Sequence, residues 1–385
     1  MNRTIFLFVI LISSIKLLAQ FEDLTFGTDS TLEVVTWNIE HFPKNGQPTV
    51  NYVREIIEAL DVDILAIQEV EDFNKFNELV EDLDGWDGSY AYNPYAALAY
   101  IYKTYVIKNV NIFEIYTDRS REFPRSPYVM EMDYMNTHYI IINNHYKCCG
   151  DGYLDMNDDW DEEKRRWDAS ILFDQYIVDN YPNENVIIVG DLNDLIAEPS
   201  PNNVFQVFID NPDSYNFVDM SIAEGSNYNW SYPSWPSHID HILITNELFD
   251  DFSSEVSVVE TIRLDDYFEG GFYVYDENVS DHRPVGLKLP MPFPAGIDSQ
   301  ISYDMELSNY PNPFYESTTF TFPPVSDNSI LQINNIDGTM VSLINLEKSS
   351  TSTKLSASNL KSGIYFVKLI VEGRTVDVKK IVVAK

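Results

Sequence analysis

The chain has 385 residues and a formal net charge of −36, from 25 Lys plus Arg against 61 Asp plus Glu. Apolar residues make up 44% and aromatics 14%, enough for a large core and too apolar for a disordered chain. The acidic balance excludes a basic nucleic-acid coat protein, whose affinity would come from Lys and Arg neutralising phosphates. The only cysteines, Cys148 and Cys149, are adjacent, which excludes a disulfide framework or a four-cysteine zinc site.

The N-terminus reads as a secretory signal over residues 1–19. A basic start (Met1-Asn2-Arg3) precedes an apolar run from Ile5 to Leu18, and Ala19 before Gln20 marks a cleavage point. No other run approaches a membrane span, so the mature protein is expected to be soluble. From residue 32 onward strand-like and helix-like segments alternate. Leu32–Ile39, Asp63–Val70, Ala97–Lys103, Tyr128–Tyr134, Tyr139–Tyr146, Asn185–Leu192 and His238–Thr245 are rich in β-branched and aromatic residues and read as strands. Val50, Val53, Ile56, Ile57 and Leu60 lie at helical spacing, and residues 162–178 offer Trp167, Ile171, Leu172 and Val178 as the apolar face of a second helix. Strands with helices outside them imply a layered α/β domain over residues 20–289.

The Pro-rich stretch at 290–296 ends this pattern and begins a linker over 290–304. Charge breaks at the same place. Residues 305–385 hold 8 basic and 7 acidic residues, whereas the rest of the chain holds 17 and 54, a net of −37. Short strands with Asn, Gly and Pro turns make residues 305–385 a small all-β sandwich.

Polar residues stand at the ends of the apolar strands of the α/β domain: Asn38, Glu69, His145, Asp191, Asn193 and Asp240, with Asp281-His282 before RPVGL. Strand ends are where loops assemble a site in such folds. Each residue alone reads as a turn former or a structural histidine. Together they offer hard oxygen donors for a divalent cation and histidines with acids to orient them.

The ordered segments N-I-E (38–40), Q-E-V (68–70), N-N-H (143–145), G-D-L-N-D (190–194), I-D-H (239–241) and S-D-H-R-P (280–284) resemble the endonuclease/exonuclease/phosphatase superfamily. Pancreatic-type deoxyribonucleases, abasic-site endonucleases, bacterial sphingomyelinases and inositol-polyphosphate phosphatases belong to it. The resemblance implies a four-layer α/β sandwich of two mixed β-sheets flanked by helices. It implies Asn38, Glu69 and Asp281 as metal-side residues, for Mg²⁺ with Mn²⁺ or Ca²⁺ as substitutes. It implies Asp191 as the acid acting on the attacking water, Asn193 as a phosphate-binding amide, His282 as the catalytic histidine oriented by Asp240, and His145 as a second histidine. Arg125, in FPRSP, takes the place of the family's arginine. Lys147 and Arg166 resemble the phosphate-contacting cations of secreted bacterial nucleases. One departure stands out: the third strand, 96–100, carries Ala-Ala-Leu-Ala-Tyr and no acid to partner His145. Tyr100 there reads as a packed aromatic.

Residues 305–385 carry a resemblance of their own. YPNPF (310–314), LKSGIYFVKL (360–369) and a terminal KKIVVAK resemble the type A sorting domain of the type IX secretion system, which implies export and then release or surface attachment. The expected protein is therefore a secreted or cell-surface, monomeric, metal-dependent phosphodiesterase. Nucleic acid is the first substrate, and the type IX machinery is the partner of the tail. A sphingomyelinase-like phospholipid phosphodiesterase or phosphatase is the alternative within enzymes, and a catalytically dead surface binding protein the alternative outside them. Trp230, Tyr232 and Trp235 read as sheet-edge packing, and His41, His238 and His241 as supporting residues. Cys148 and Cys149 are open to a vicinal disulfide or free thiols. The acids at 155–163 lack calcium-motif spacing and read as a solvated loop.

Overall fold

A computed structural model describes residues 20–28, 30–93, 95–291, 307–325, 329–335, 340–371 and 374–384. The expected signal segment and most of the linker lie outside these residues. The chain divides into two compact units, Met1–Pro292 and Phe293–Lys385, with the division inside the Pro-rich stretch.

The first unit contains twelve described strands: β1 (Thr31–Phe42), β2 (Ile64–Val70), β3 (Trp86–Tyr90), β4 (Ala97–Lys103), β5 (Ile107–Glu114), β6 (Tyr128–Tyr134), β7 (Thr137–His145), β8 (Asn185–Asp191), β9 (Tyr215–Phe217), β10 (Asp240–Thr245), β11 (Val258–Thr261) and β12 (Val285–Pro290). They form two six-stranded sheets, in the orders β11-β12-β1-β2-β4-β3 and β5-β6-β7-β8-β10-β9. Both are mixed, since β1/β2 and β7/β8 are parallel and the remaining pairs antiparallel. Helices α1 (Gln47–Leu60) and α2 (Phe73–Glu81) cover the first sheet, and α3 (Glu162–Asn180) covers the second.

Strand alternation builds the layers. On β1, Val35, Trp37 and Ile39 face α1, where Val53, Ile56, Ile57 and Leu60 meet them. Leu32 and Val34 face the other way, joining Ile141, Ile187, Val189 and Ile242 of the second sheet. Ile140, Ile142 and Ile188 face outward again and bury Ala169, Phe173 and Ile177 of α3. Successive side chains of a strand point to opposite faces, so a strand buried on both sides reads as one continuous apolar run. The result is the expected four-layer sandwich.

The face of α3 differs from expectation. Its buried residues are Glu163, Arg166, Ala169, Ser170, Phe173 and Ile177, while Val178 and Ile171 are exposed and Trp167 and Leu172 half-buried. The stripe follows the small Ala169 and Ser170, which let the helix approach the sheet, rather than the bulkiest residues.

In the second unit, three- and four-stranded antiparallel sheets enclose a core of Phe314, Phe320, Leu331, Ile333, Val367, Leu369 and Ile381. YPNPF is fastened to the final strand. Asn312 accepts from the Val382 amide at 2.8 Å and donates to the Lys380 carbonyl, and Phe314 N–H donates to the Val382 carbonyl.

Candidate active site

The site forms where the two parallel strand pairs end. Register sets most of it: Asn38 lies beside Gln68 across β1/β2, and Asp191 lies beside His145 on β7 and Asp240 on β10. Past Asn38 and Ile67 the β1 and β2 registers shift, and Glu40, His41 and Glu69 take positive φ values of 36°, 50° and 67°. Backbone in this region is unfavourable for residues bearing a Cβ and concentrates at functional sites. Here it aims Glu69 at the cleft, while Gln68 stays between the sheets, donating to Asn143 Oδ1 at 2.8 Å.

Asn38 links the two halves. Its Nδ2 donates to Glu69 Oε1 at 3.1 Å and to Asp191 Oδ2 at 3.0 Å, and its Oδ1 accepts from the Glu40 amide. His145 Nε2 lies 3.3 Å from Asp191 Oδ2 and 3.9 Å from Glu69 Oε1. His282 Nδ1 lies 2.8 Å from Asp240 Oδ2, and its Nε2 is 3.8 Å from both Asp191 Oδ2 and Asp281 Oδ1. Asn38, Glu69, His145, Asp191, Asp240, Asp281 and His282 thus converge on one cleft.

The electrostatics separate the two histidines. Burial works against charge on His282, but Asp240 and Asp191 outweigh it and raise the imidazole to about 10. His145 is buried with the like charges of Arg125 and His282 nearby, and falls well below the usual range, so it is neutral. Its Nδ1 has no hydrogen-bond partner among the described residues, and β4 carries no acid to supply one. Burial raises Asp191 to about 7, with His282 opposing and Asp240 adding to it. Burial likewise raises Asp281 to about 6, with His282 opposing and Glu40 adding.

Supporting residues absent from the sequence reading hold this geometry. Ser280 Oγ donates to the Asn38 carbonyl at 2.6 Å and accepts from the His282 amide. Tyr275 Oη donates to the His282 carbonyl and accepts from Trp37 Nε1. Glu40 accepts from the Asp281 amide and pairs with Lys44. Asn143 donates to the Ile67 and Ala99 carbonyls across the sheets. Ser280, Glu40 and Asn143 sit inside the quoted motifs, and that was their only signal; Tyr275 had none. Tyr100 is the packed aromatic expected, with its hydroxyl among the Tyr128 and Ile141 carbonyls and the Asn143 amide.

The phosphate-binding candidates divide. Asn193 has a positive φ of 53°, its N–H donates to Asp191 Oδ1, and its side-chain amide reaches the Tyr146 carbonyl at 3.4 Å. Arg125 reaches the same carbonyl at 3.5 Å. Lys147 is half-buried, donating to the Cys148 carbonyl. Arg166 requires correction. It is 2% exposed, with Nε on Asp194 at 2.7 Å, Nη1 on the Lys147 and Cys149 carbonyls, and Nη2 3.2 Å from Glu163. Four of its five N–H donors are engaged by these groups, and the buried guanidinium fastens the loop after β7 rather than facing the cleft. Of the three aromatics, Trp230 is half-buried with its indole N–H on the Ile222 carbonyl. Tyr232 lies against the His282 ring at 4.7 Å, and Trp235 is 79% exposed. Cys148 and Cys149 are free, their sulfurs 2.9 Å apart.

Asp191, Asp240 and His282 each bring a donor atom within 4.8 Å of the others, a group that could hold a metal ion. The Asn38 amide links Asp191 to Glu69 beside it, which adds the hard oxygen donors that a divalent cation takes.

Residues 35–282 match the Endonuclease/Exonuclease/phosphatase family, and residues 308–384 match the Secretion system C-terminal sorting domain. No curated protein matches the chain. Similar solved structures include D. rerio TDP2 complexed with single strand DNA product, at 12% identity and TM-score 0.50, covering 68% of this chain and 99% of that one. They also include an endonuclease/exonuclease/phosphatase from Bacteroides vulgatus, at 16% identity and TM-score 0.49, covering 69% and 100%. The human Nocturnin catalytic domain with bound sulfate anion matches at 16% identity and TM-score 0.49, covering 68% and 95%. At these identities the likeness concerns the fold alone.

Proposed function

The chain belongs to the Endonuclease/Exonuclease/phosphatase family, and from that membership and the cleft we propose a secreted, divalent-metal-dependent phosphodiesterase that hydrolyses extracellular DNA or RNA. The observation that carries the reading is the pairing of His282 with Asp240 at 2.8 Å beside Asp191, on the same cleft as Asn38, Glu69 and Asp281. The D. rerio TDP2 bound to a single-strand DNA product supports a nucleic-acid substrate for this fold.

In this reading Asn38, Glu69 and Asp281 hold Mg²⁺, or Mn²⁺ or Ca²⁺ in its place. When bound, the cation neutralises phosphate charge and polarises the phosphoryl oxygen. Asp191 takes a proton from the attacking water, whose oxygen bonds to phosphorus as the ester P–O bond breaks. His282, held in one tautomer by Asp240, gives its Nε2 proton to the departing oxygen and recovers one from Asp191, 3.8 Å away. Neutral His145 donates a hydrogen bond to a phosphoryl oxygen, and Asn193, Arg125 and Lys147 position the phosphate. The net charge of the chain opposes a polyanion at long range, but salt screens that repulsion within about 8 Å, and the cations of the cleft act closer than that.

The sorting domain, with the N-terminal signal expected over residues 1–19, supports export through the type IX system to the cell surface or beyond. No helix among the described residues is long and apolar enough to cross a membrane. The test is to incubate the protein with plasmid DNA, RNA, sphingomyelin and an inositol phosphate, with and without Mg²⁺. Metal-dependent cleavage of nucleic acid is expected, and Glu69→Gln is expected to abolish it while retaining the fold. Cleavage of sphingomyelin alone would replace the reading with the phospholipid one.

A further inference from the structure

The loop between β7 and α3 carries an acidic cluster that the catalytic cleft does not use. One oxygen from each of Asp151, Asp161 and Glu163 lies within 4.8 Å of the others. Clustered acids on a surface loop normally mean no more than solvation. Glu163 departs from that pattern. It is 2% exposed, its Oε1 accepts from the Gly152 amide at 2.8 Å and lies 3.2 Å from Arg166 Nη2, and its Oε2 is buried with no hydrogen-bond partner among the described residues. A buried carboxylate oxygen without a hydrogen-bond partner is costly even where an arginine pairs the other oxygen. The loop is built to bring it there. Gly150 has φ of +112°, a conformation that L side chains rarely adopt, and a Cβ there would lie 2.2 Å from Glu163 Oε1, so a larger residue would displace the carboxylate.

The local charge favours a cation. Arg166 is the guanidinium paired with the cluster, and it is shared with Asp194 through Nε. The N-terminus of α3 opposes a cation with about half an elementary charge, against three carboxylates. Asp161 already satisfies that terminus by accepting from the Lys164 amide at 2.8 Å. The donors are all carboxylate oxygens, one exposed, one half-buried and one buried. Hard, loosely ordered oxygen sets of this kind suit Ca²⁺, which takes six to eight such ligands, better than Mg²⁺.

We propose that Asp151, Asp161 and Glu163 form a Ca²⁺ site, separate from the catalytic cleft, that fastens the β7–α3 loop. The occupied site gives Glu163 Oε2 its missing partner. It also ties α3 to the segment whose Lys147 and Cys149 carbonyls Arg166 holds, directly after His145. The site orders the loop and needs no catalysis to act.

Calorimetric titration of Ca²⁺ into the full chain tests this, run beside Glu69→Gln, Asp151→Asn and the double variant Asp161→Asn/Glu163→Gln. The substitutions are isosteric, and asparagine caps a helix as well as aspartate does. A binding event is expected that survives in Glu69→Gln, weakens at least tenfold in Asp151→Asn and disappears in the double variant. Ca²⁺ is expected to raise the melting temperature of Glu69→Gln but not of the double variant. If the double variant does not fold, as judged by circular dichroism, Asp151→Asn decides the matter, since its side chain is exposed. Unchanged affinity in Asp151→Asn, or a single event lost in Glu69→Gln, overturns the proposal.

Discussion

Two buried aspartate–histidine clusters meet at the start of β10, one through Asp240 and the other through its neighbour His241. Strand alternation sends these two side chains to opposite faces of the sheet. Asp240 joins His282 and Asp191 in the cleft, while His241 joins His238 and Asp219 beneath Phe205 and Phe217. The second cluster is satisfied throughout. Asp219 Oδ2 takes His241 Nδ1 at 2.6 Å and His238 Nε2 at 3.0 Å, and its Oδ1 takes the Ile242 amide. His241 Nε2 donates to the Asp194 carbonyl, and His238 Nδ1 accepts from the Ser231 amide. The cleft cluster is not satisfied. Asp240 Oδ1 and His145 Nδ1 lack partners among the described residues, and Asp191 and Asp281 are raised to about 7 and about 6. The same residue types thus occur once with every valence closed, as a structural cluster needs, and once with valences open, as the proposed catalytic role needs.

The largest expected effect falls on the open cluster. His282→Ala should lower kcat/KM on a DNA substrate by about 10²–10⁴-fold, the usual contribution of a general acid or base, with the melting temperature little changed. His145→Ala should cost less, because no acid anchors its Nδ1 and it acts as a neutral donor. A greater loss at His145 would reverse the division of labour between the two histidines.

The closed cluster should respond in stability instead. Burial opposes charge on both partners, yet Asp219 is held well below the usual carboxylate range, chiefly by His241, and His241 is raised above about 6.5, chiefly by Asp219. Asp219 contributes stability above its unfolded value of about 4, and this is lost as pH falls through its lowered folded value. His241 contributes fully below about 6.5, and this is lost as pH rises through its raised folded value. The groups facing His241 are Asp219, Asp240, the Asp194 carbonyl and, ring to edge, His238. His241→Ala should thus destabilise the fold by about 3 kcal/mol near pH 6, with a smaller gap from the parent at pH 9. Urea unfolding at the two pH values measures it, and a gap that widens with pH would contradict the pairing.

How much of this was legible in the sequence follows from the same contrast. The strand-end residues Asn38, Glu69, His145, Asp191, Asp240 and His282 were readable because each borders an apolar run, and register then brings most of them together. Arg166 was misread because a cation near a site motif looks the same in sequence whether it faces substrate or a carbonyl. Only burial distinguishes the two. Glu163 was misread for the converse reason, as one acid in a run whose other members are mostly exposed. Strands β3, β5, β9 and β11 escaped notice because they are edge strands with polar residues, whose pairing is settled by neighbours rather than by their own pattern. Strand β12 escaped because its apolar run is short, VGL before Lys288 and Pro290, although it lies inside its sheet. The role of His241 hinged on Asp219, which no motif marked.

The smallest expected effect is from the second unit. Removing residues 305–385 should leave kcat/KM unchanged, since the cleft is built wholly within the first unit and separate domains fold alone. It should abolish release of the protein outside the cell. Secretion of the truncated chain would contradict the sorting role.

The most direct test of the central claim, that Asp240, His282 and Asp191 act as one open catalytic unit, is a double-mutant cycle. Measured as kcat/KM on plasmid DNA in Mg²⁺, Asp240→Asn, His282→Ala and their combination should show losses that do not multiply, because a group that only orients His282 has nothing left to orient once it is gone. If the two losses multiply as independent effects, Asp240 does not work through His282 and the account of the cleft fails.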